Sequence, residues 1–206
     1  MLIALKAAKE DTGKVFTLID IGWAYNIMGD FDAAFQYQKQ ALQLAQKLNF
    51  KRGEGQANHG IGSNFNDQGE YSDALRYANA ALTIFEETHD THGISITYNL
   101  LGNISADQGK LEEALQYYAD DLKLNLKADN KEGIAACYSN IGVIQRQKRE
   151  FPEALKNLNA SLAVSVELHD KENMAAAFGN LANVYLDQWK LDEAMENSQS
   201  ALKLYQ

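Results

Sequence analysis

The sequence repeats with a period of forty residues, and this period limits the folds that the chain can adopt. One frame holds a small residue directly after an apolar one: Gly22, Gly62, Gly102, Gly142 and Ala182. Two further frames hold an alanine and a leucine: Ala34, Ala74, Ala114, Ala154 and Ala194, and Leu42, Leu82, Leu122, Leu162 and Leu202. Frames in exact register over five copies indicate repeats that stack, each packing on its neighbours.

The spacing inside one period predicts a pair of helices. In the fourth copy, Tyr138, Ile141 and Gln145 fall at i, i+3 and i+7, which places them on one helix face. Ala154 and Leu158, at i and i+4, also share one helix face in the stretch that follows. The chain contains one proline, so little interrupts long helices. The sequence therefore predicts an all-α fold of antiparallel helix pairs.

Glycines mark the turn inside three of the copies. Gly29, Gly69 and Gly109 stand where we expect a helix to end in a left-handed residue. Arg149 and Trp189 replace this glycine in the last two copies, so we expect slightly strained or altered turns there. We also expect the Trp189 ring to cover its own turn.

A second set of positions predicts connectors between the copies. Glycine recurs there in four copies and asparagine takes the fifth place: Gly13, Gly53, Gly93, Gly133 and Asn173. Just before them stand residues of the types that cap helices, namely Asp90, Asn130 and Asp170.

The period assigns the whole chain, residues 1–206, to a single array. Residues 1–12 are interpreted as the tail of a truncated repeat, because Leu2 and Leu5 align with Leu42 and Ala45. The remaining chain divides into four full repeats and an incomplete one: 13–52, 53–92, 93–132, 133–172 and 173–206. Because both ends fall inside predicted helices, we expect a fragment of a longer protein.

Composition excludes several classes of partner. The net charge of −9 argues against nucleic acid, whose phosphates bind Lys and Arg. No run of eighteen apolar residues occurs, so no membrane interaction is expected. Cys137 is the only cysteine, and we expect a buried, inert thiol. The single cysteine suits a reducing cytoplasm, without excluding the periplasm.

The frames resemble the tetratricopeptide repeat. The residues that fit its pattern in the first copy are Leu18, Ile21, Gly22, Tyr25, Gly29, Phe31, Ala34, Ala41 and Leu42. The third copy departs from the pattern at Ser105 and Asp121. The period exceeds the usual repeat of about 34 residues, which implies longer helices. The resemblance implies a right-handed α-α superhelix, or solenoid, whose first helices line a concave groove that binds a protein or peptide, without enzymatic activity.

Polar side chains fall on the groove side of the first helices if this resemblance holds. We predict ten peptide-binding residues: Trp23, Asn26, His59, Asn66, Asn99, Asn103, Asn140, Arg146, Asn180 and Asn183. A side-chain amide both donates and accepts, so a row of asparagines suits an extended peptide backbone. The alternative is a solvated face whose asparagines bond locally. Trp23 is either an aromatic anchor or a packing residue against the preceding second helix.

Some family members clamp a partner's C-terminal carboxylate with basic groove residues. The corresponding positions here are largely His59, Ser63, Asn99, Asn103 and Ala136, so this mode is disfavoured. Arg146 is the only cation in the predicted face.

No arrangement of residues predicts catalysis, a metal site or a cofactor. His89 and His92 flank Asp90, but a metal site needs three or four convergent ligands with supporting groups. We expect a non-enzymatic binding scaffold. Two alternatives stay open: a regulatory or sensor region cut from a larger signalling protein such as a kinase, cyclase or transcription regulator, and a homo-oligomer assembled through the terminal helices.

Overall fold

The computed structural model describes residues 9–204, and in this range the regular structure consists of ten helices without a strand. They are α1 (Thr12–Ile27), α2 (Phe31–Lys47), α3 (Lys51–Asp67), α4 (Tyr71–Glu87), α5 (Thr91–Asp107), α6 (Leu111–Ala128), α7 (Lys131–Gln147), α8 (Phe151–Glu167), α9 (Lys171–Asp187) and α10 (Leu191–Leu204). The all-α class is confirmed. Leu2 and Leu5, and with them most of the predicted truncated repeat, lie outside the described residues.

The chain forms two compact units, residues 1–108 and residues 109–206. The first unit holds α1 to α5 and the second holds α6 to α10. In each unit every helix packs on the next. The first helices of successive repeats also contact each other: α1 contacts α3, and α7 contacts α9. The single array over residues 1–206 stays a prediction.

The turns inside the repeats adopt the left-handed conformation that the glycines predict. The φ angles of Gly29, Gly69 and Gly109 are 77°, 76° and 74°. Arg149 and Trp189 adopt the same conformation with φ of 62° and 59°, which side chains disfavour, so these turns are strained as expected. The prediction that Trp189 covers its turn is wrong. Trp189 is 85% exposed, so its ring packs on little of the turn.

A second left-handed position recurs between the repeats, and the sequence analysis missed it. Asn49, His89, Asp129 and His169 stand forty residues apart and have φ angles of 52°, 54°, 51° and 55°. Asparagine, aspartate and histidine tolerate this conformation better than other side chains. The residue types in this frame were therefore the available signal.

The predicted capping residues begin the first helices of three repeats. Each side chain accepts a hydrogen bond from a backbone N–H three residues later: Asp90 from Gly93 at 2.9 Å, Asn130 from Gly133 at 3.3 Å and Asp170 from Asn173 at 3.0 Å. These bonds satisfy donors that a helix start leaves without an intrahelical partner.

The glycines predicted as connectors lie inside helices, which corrects that prediction. Gly53 and Gly93 are the third residues of α3 and α5. Their small size serves packing, because a Cβ on Gly93 would overlap the Phe85 ring. The same ring lies against Gly55, where a Cβ would meet it at 2.7 Å. Phe85 is fully buried and fills this space between helices.

A buried amide occupies a different space that small residues leave open, beside the first two first helices. Gln38 of α2 is fully buried, and a Cβ on Gly22 or Gly60 would lie 2.5 Å or 2.9 Å from its side chain. Neither Nε2 nor Oε1 of Gln38 forms a hydrogen bond with any residue in the range 9–204. The glycines therefore leave room for a side chain whose polar atoms stay without partners.

Candidate functional site

All ten predicted peptide-binding residues lie on first helices, two on each of α1, α3, α5, α7 and α9. The six from Trp23 to Asn103 belong to the first unit, and the four from Asn140 to Asn183 belong to the second. Their roles in binding stay predictions. Their contacts divide them into side chains that are engaged with other residues and side chains that are available to a ligand.

Two asparagines of the first unit bond to the next repeat. Asn26 Nδ2 donates to Asp67 Oδ2 at 2.6 Å, and Asn66 Nδ2 donates to Asp107 Oδ2 at 2.9 Å. Each bond joins residues forty-one apart, so both connect equivalent places in neighbouring repeats. The Oδ1 atoms of both asparagines are buried and receive no hydrogen bond from a described residue.

The second unit carries an ion pair at the equivalent place. Arg146 Nε lies 3.2 Å from Asp187 Oδ2, again forty-one residues apart, although the N–H is not aligned for a hydrogen bond. Asn180 Nδ2 also bonds across repeats, donating to Ser139 Oγ at 3.2 Å. Asn26, Asn66, Arg146 and Asn180 are thus engaged between repeats. The forty-one-residue offset was readable from the sequence, but only knowledge of the helix contacts gives it meaning.

Trp23 and His59 contact each other in the first unit. Their ring centroids lie 5.8 Å apart, and the Trp23 ring packs on the apolar core of α1, α2 and α3. His59 Nε2 lies 3.2 Å from the carbonyl oxygen of Ile96. Burial, with a smaller contribution from His92, lowers the pKa of His59 to about 4, against the opposing effect of the Ile96 carbonyl. His59 is therefore neutral near pH 7.

The asparagines of α5 contact each other. Asn103 Nδ2 donates to Asn99 Oδ1 at 3.4 Å, one helical turn away. Both side chains are partly buried. A local amide pair of this kind is the arrangement that a solvated polar face would show.

Two asparagines of the second unit are available for a ligand. Within residues 9–204, neither Asn140 on α7 nor Asn183 on α9 forms a hydrogen bond through its side chain. Asn183 is exposed and Asn140 is partly exposed. Each amide can therefore donate and accept towards a bound peptide backbone.

The second unit contains a buried polar cluster around Asp121. In the sequence, its only sign was that Asp121 departs from the repeat pattern. Cys137 Sγ donates to Asp121 Oδ2 at 3.2 Å, and Asn125 Nδ2 donates to Asp121 Oδ1 at 2.7 Å. Asn125 Oδ1 accepts from Asn130 Nδ2 at 2.6 Å. Burial and the neighbouring Asp121 carboxylate raise the pKa of the Cys137 thiol. Cys137 is buried, as predicted, and its raised pKa keeps the thiol protonated near pH 7.

Residues 9–204 contain neither a metal-binding group of side chains nor a helix that could span a membrane. No group of three His, Cys, Asp or Glu side chains there is arranged to hold a metal ion. None of the helices in this range is both long enough and apolar enough to span a bilayer.

Family comparison gives matches along most of the chain. A model of the tetratricopeptide repeat matches residues 53–127 and 133–206, and a second model with the same description matches residues 17–49. No curated protein sequence matches the chain.

Several solved structures share the fold at low sequence identity. BtubC from P. vanneervenii has a TM-score of 0.80 and 22% identity, and the match covers 94% of this chain and 80% of that one. Aspartyl phosphate phosphatase F from Bacillus subtilis has a TM-score of 0.77 and 14% identity, covering 97% and 61%. A Rap protein complexed with competence and sporulation factor has a TM-score of 0.77 and 16% identity, covering 98% and 64%. The chain thus spans less than two thirds of the latter two proteins.

Proposed function

Because the chain belongs to the tetratricopeptide repeat family, we propose that it is a non-enzymatic scaffold whose first helices bind an extended segment of a partner protein. The family supports a protein-interaction role, and one structure of similar fold, the Rap protein, is complexed with competence and sporulation factor. The finer assignment, peptide binding on the first helices, rests on the side chains of this chain.

The observation that carries the proposal is the pair of unengaged amides on neighbouring first helices. α7 and α9 contact each other, and they present Asn140 and Asn183 without hydrogen-bond partners in the described part of the chain. An extended peptide presents alternating N–H and C=O groups along its backbone. Asn140 and Asn183 would bond these groups with little demand on the peptide's sequence.

The test is an unbiased selection of peptides on the full chain, followed by titration of the selected peptides against variants. The test variant combines Asn140→Ala with Asn183→Ala. The control combines Asn79→Ala with Asn159→Ala on second helices, where each amide donates to a carbonyl of its own helix at 2.8 Å and 2.7 Å. Both variants remove two exposed or partly exposed amides.

We expect the selected peptides to bind the test variant about tenfold more weakly, because two hydrogen bonds contribute about 1–2 kcal/mol together. The control variant is expected to bind as the wild type does. Equal affinity for the test variant and the wild type would overturn the assignment of this face.

A further inference from the structure

We propose that the C-terminal ends of the first helices in the first unit recognise a basic segment of a partner, with arginine or lysine side chains seated on Asp67 and Asp107. The inference rests on the scaffold function proposed above and names the chemistry of the partner. The site consists of two acceptor pairs, Asn26 with Asp67 and Asn66 with Asp107, each joined by the hydrogen bond between repeats.

The first step concerns charge. Asp67 and Asp107 are exposed, and neither carboxylate forms an ion pair with any of the residues 9–204. Their hydrogen-bond donors are neutral amides, which leave the negative charge uncompensated. A cationic ligand would find two exposed carboxylates, one in each of two neighbouring repeats.

The second step concerns the position of the carboxylates in their helices. Asp67 and Asp107 are the last residues of α3 and α5, where the helix dipole is negative and where cations are favoured. The last turns of α1, α3 and α5 contain no basic residue. The same unfavourable placement in two repeats indicates that these carboxylates serve binding rather than helix stability.

The third step concerns the amide of Asn26, which points independently to a missing donor. Asn26 is 9% exposed, and its bond to Asp67 holds the amide against that carboxylate. Its Oδ1 is buried and has no donor among the described residues, as is also true of Asn66 Oδ1. Because both Oδ1 atoms are buried, the acceptor that each pair presents to a ligand is the exposed carboxylate, which the Nδ2 group of the asparagine holds in place. A guanidinium presents five donors in a planar fork, which suits a carboxylate.

In the second unit, the equivalent carboxylate already has a cationic partner. Asp187 is also the last residue of its helix, but Arg146 from the preceding repeat lies beside it. The protein thus supplies the cation itself in the second unit. In the first unit a ligand would supply it.

The test measures binding of a labelled hexa-arginine peptide to the full chain by fluorescence anisotropy at low ionic strength. The test variant combines Asp67→Asn with Asp107→Asn, which keeps an oxygen acceptor for each asparagine but removes two charges. The control combines Glu86→Gln with Glu87→Gln, which removes two exposed charges from the last turn of α4 in the same unit. Circular dichroism verifies folding, and the single variants replace the double variant if it unfolds.

We expect the peptide to bind the test variant about tenfold more weakly and the control about as well as the wild type. Three results would overturn the inference: no binding to the wild type, unchanged binding to the test variant, or equal losses in test and control. If such a result occurs while the selected peptides still depend on Asn140 and Asn183, only this inference fails. If the selected peptides ignore those asparagines, the proposed function fails as well.

Discussion

The polar pairs between repeats occupy the same place in both units, but they differ in charge. Asn66 donates to Asp107 in the first unit, whereas Arg146 lies beside Asp187 in the second. The repeat fixes the geometry, because both pairs join residues forty-one apart. The residue type at one position then decides whether a carboxylate is neutralised inside the protein or left for a partner.

The interiors of the two units also differ in polarity at two other positions of the repeat. Ala81 and Phe85 of the first unit are replaced forty residues later by Asp121 and Asn125 of the second. Phe85 fills its space with an apolar ring, whereas Asn125 and Asp121 bond to each other. One fold thus tolerates an apolar core and a polar cluster at equivalent places, provided that the polar atoms find partners.

Removal of the Phe85 ring should have the largest effect among the changes that test the difference between the two interiors. Phe85→Ala should lower the free energy of unfolding by about 3–5 kcal/mol, because it removes a fully buried ring and leaves a cavity. Asn125→Ala should cost about 1–3 kcal/mol through lost hydrogen bonds. Urea unfolding of both variants measures the difference. A smaller loss for Phe85→Ala than for Asn125→Ala would show that the apolar interior is not the more tightly packed one.

The buried amide of the first repeat gives a stabilising variant. Gln38→Leu should raise the free energy of unfolding by about 1–2 kcal/mol, because it removes two buried polar atoms without partners. The fourth repeat already holds a leucine, Leu158, at this frame and buries it fully. Thermal and urea unfolding check the prediction. A destabilised Gln38→Leu variant would indicate that Gln38 has a partner that the described residues do not provide.

The partly buried side chain of His59 predicts a pH dependence in the first unit. The pKa of His59 is about 4 in the folded chain against an ordinary value of 6.5, so the unfolded chain binds the proton more readily. The stability from neutral His59 is therefore complete above about pH 6.5 and is lost as the pH falls towards 4.

His59→Asn tests this dependence, because the third repeat carries Asn99 in the same frame. Between pH 7.5 and pH 5, the wild type should lose about 1–2 kcal/mol more stability than the variant. Urea unfolding at the two pH values measures both losses. Parallel losses in the two proteins would refute the assignment.

The strained turn of the last repeat gives the smallest expected effect. Trp189→Gly should stabilise the second unit by about 0.5–1 kcal/mol, because glycine adopts the left-handed conformation without strain and the exposed ring packs on little. Gly69→Ala is the reverse change in the first unit and should destabilise by a similar amount. Thermal unfolding of both variants compares the turns, and a destabilised Trp189→Gly would mean that the ring makes stabilising contacts.

Periodicity predicted the helix pairs, the left-handed glycines and the caps, because these depend on local residue types that recur at fixed spacing. It did not predict the partners of Asn26 or Asn66, since the repeat frames do not show which faces of neighbouring helices contact each other. Nor did it predict the Asp121 cluster, whose members come from two helices and a connector. Residue type alone could not separate the engaged amides from Asn140 and Asn183.

Exchange of the donor between the two units tests the central claim most directly. Asn66→Arg places a cation beside Asp107, and Arg146→Asn removes the cation beside Asp187. For binding of the hexa-arginine peptide, we predict a loss of several-fold for Asn66→Arg and a gain of similar size for Arg146→Asn. Lys39→Gln and Lys156→Arg, exposed changes on second helices, control for net charge and for side-chain exchange. Equal changes in Arg146→Asn and Lys39→Gln would contradict the account, because net charge alone would then govern binding.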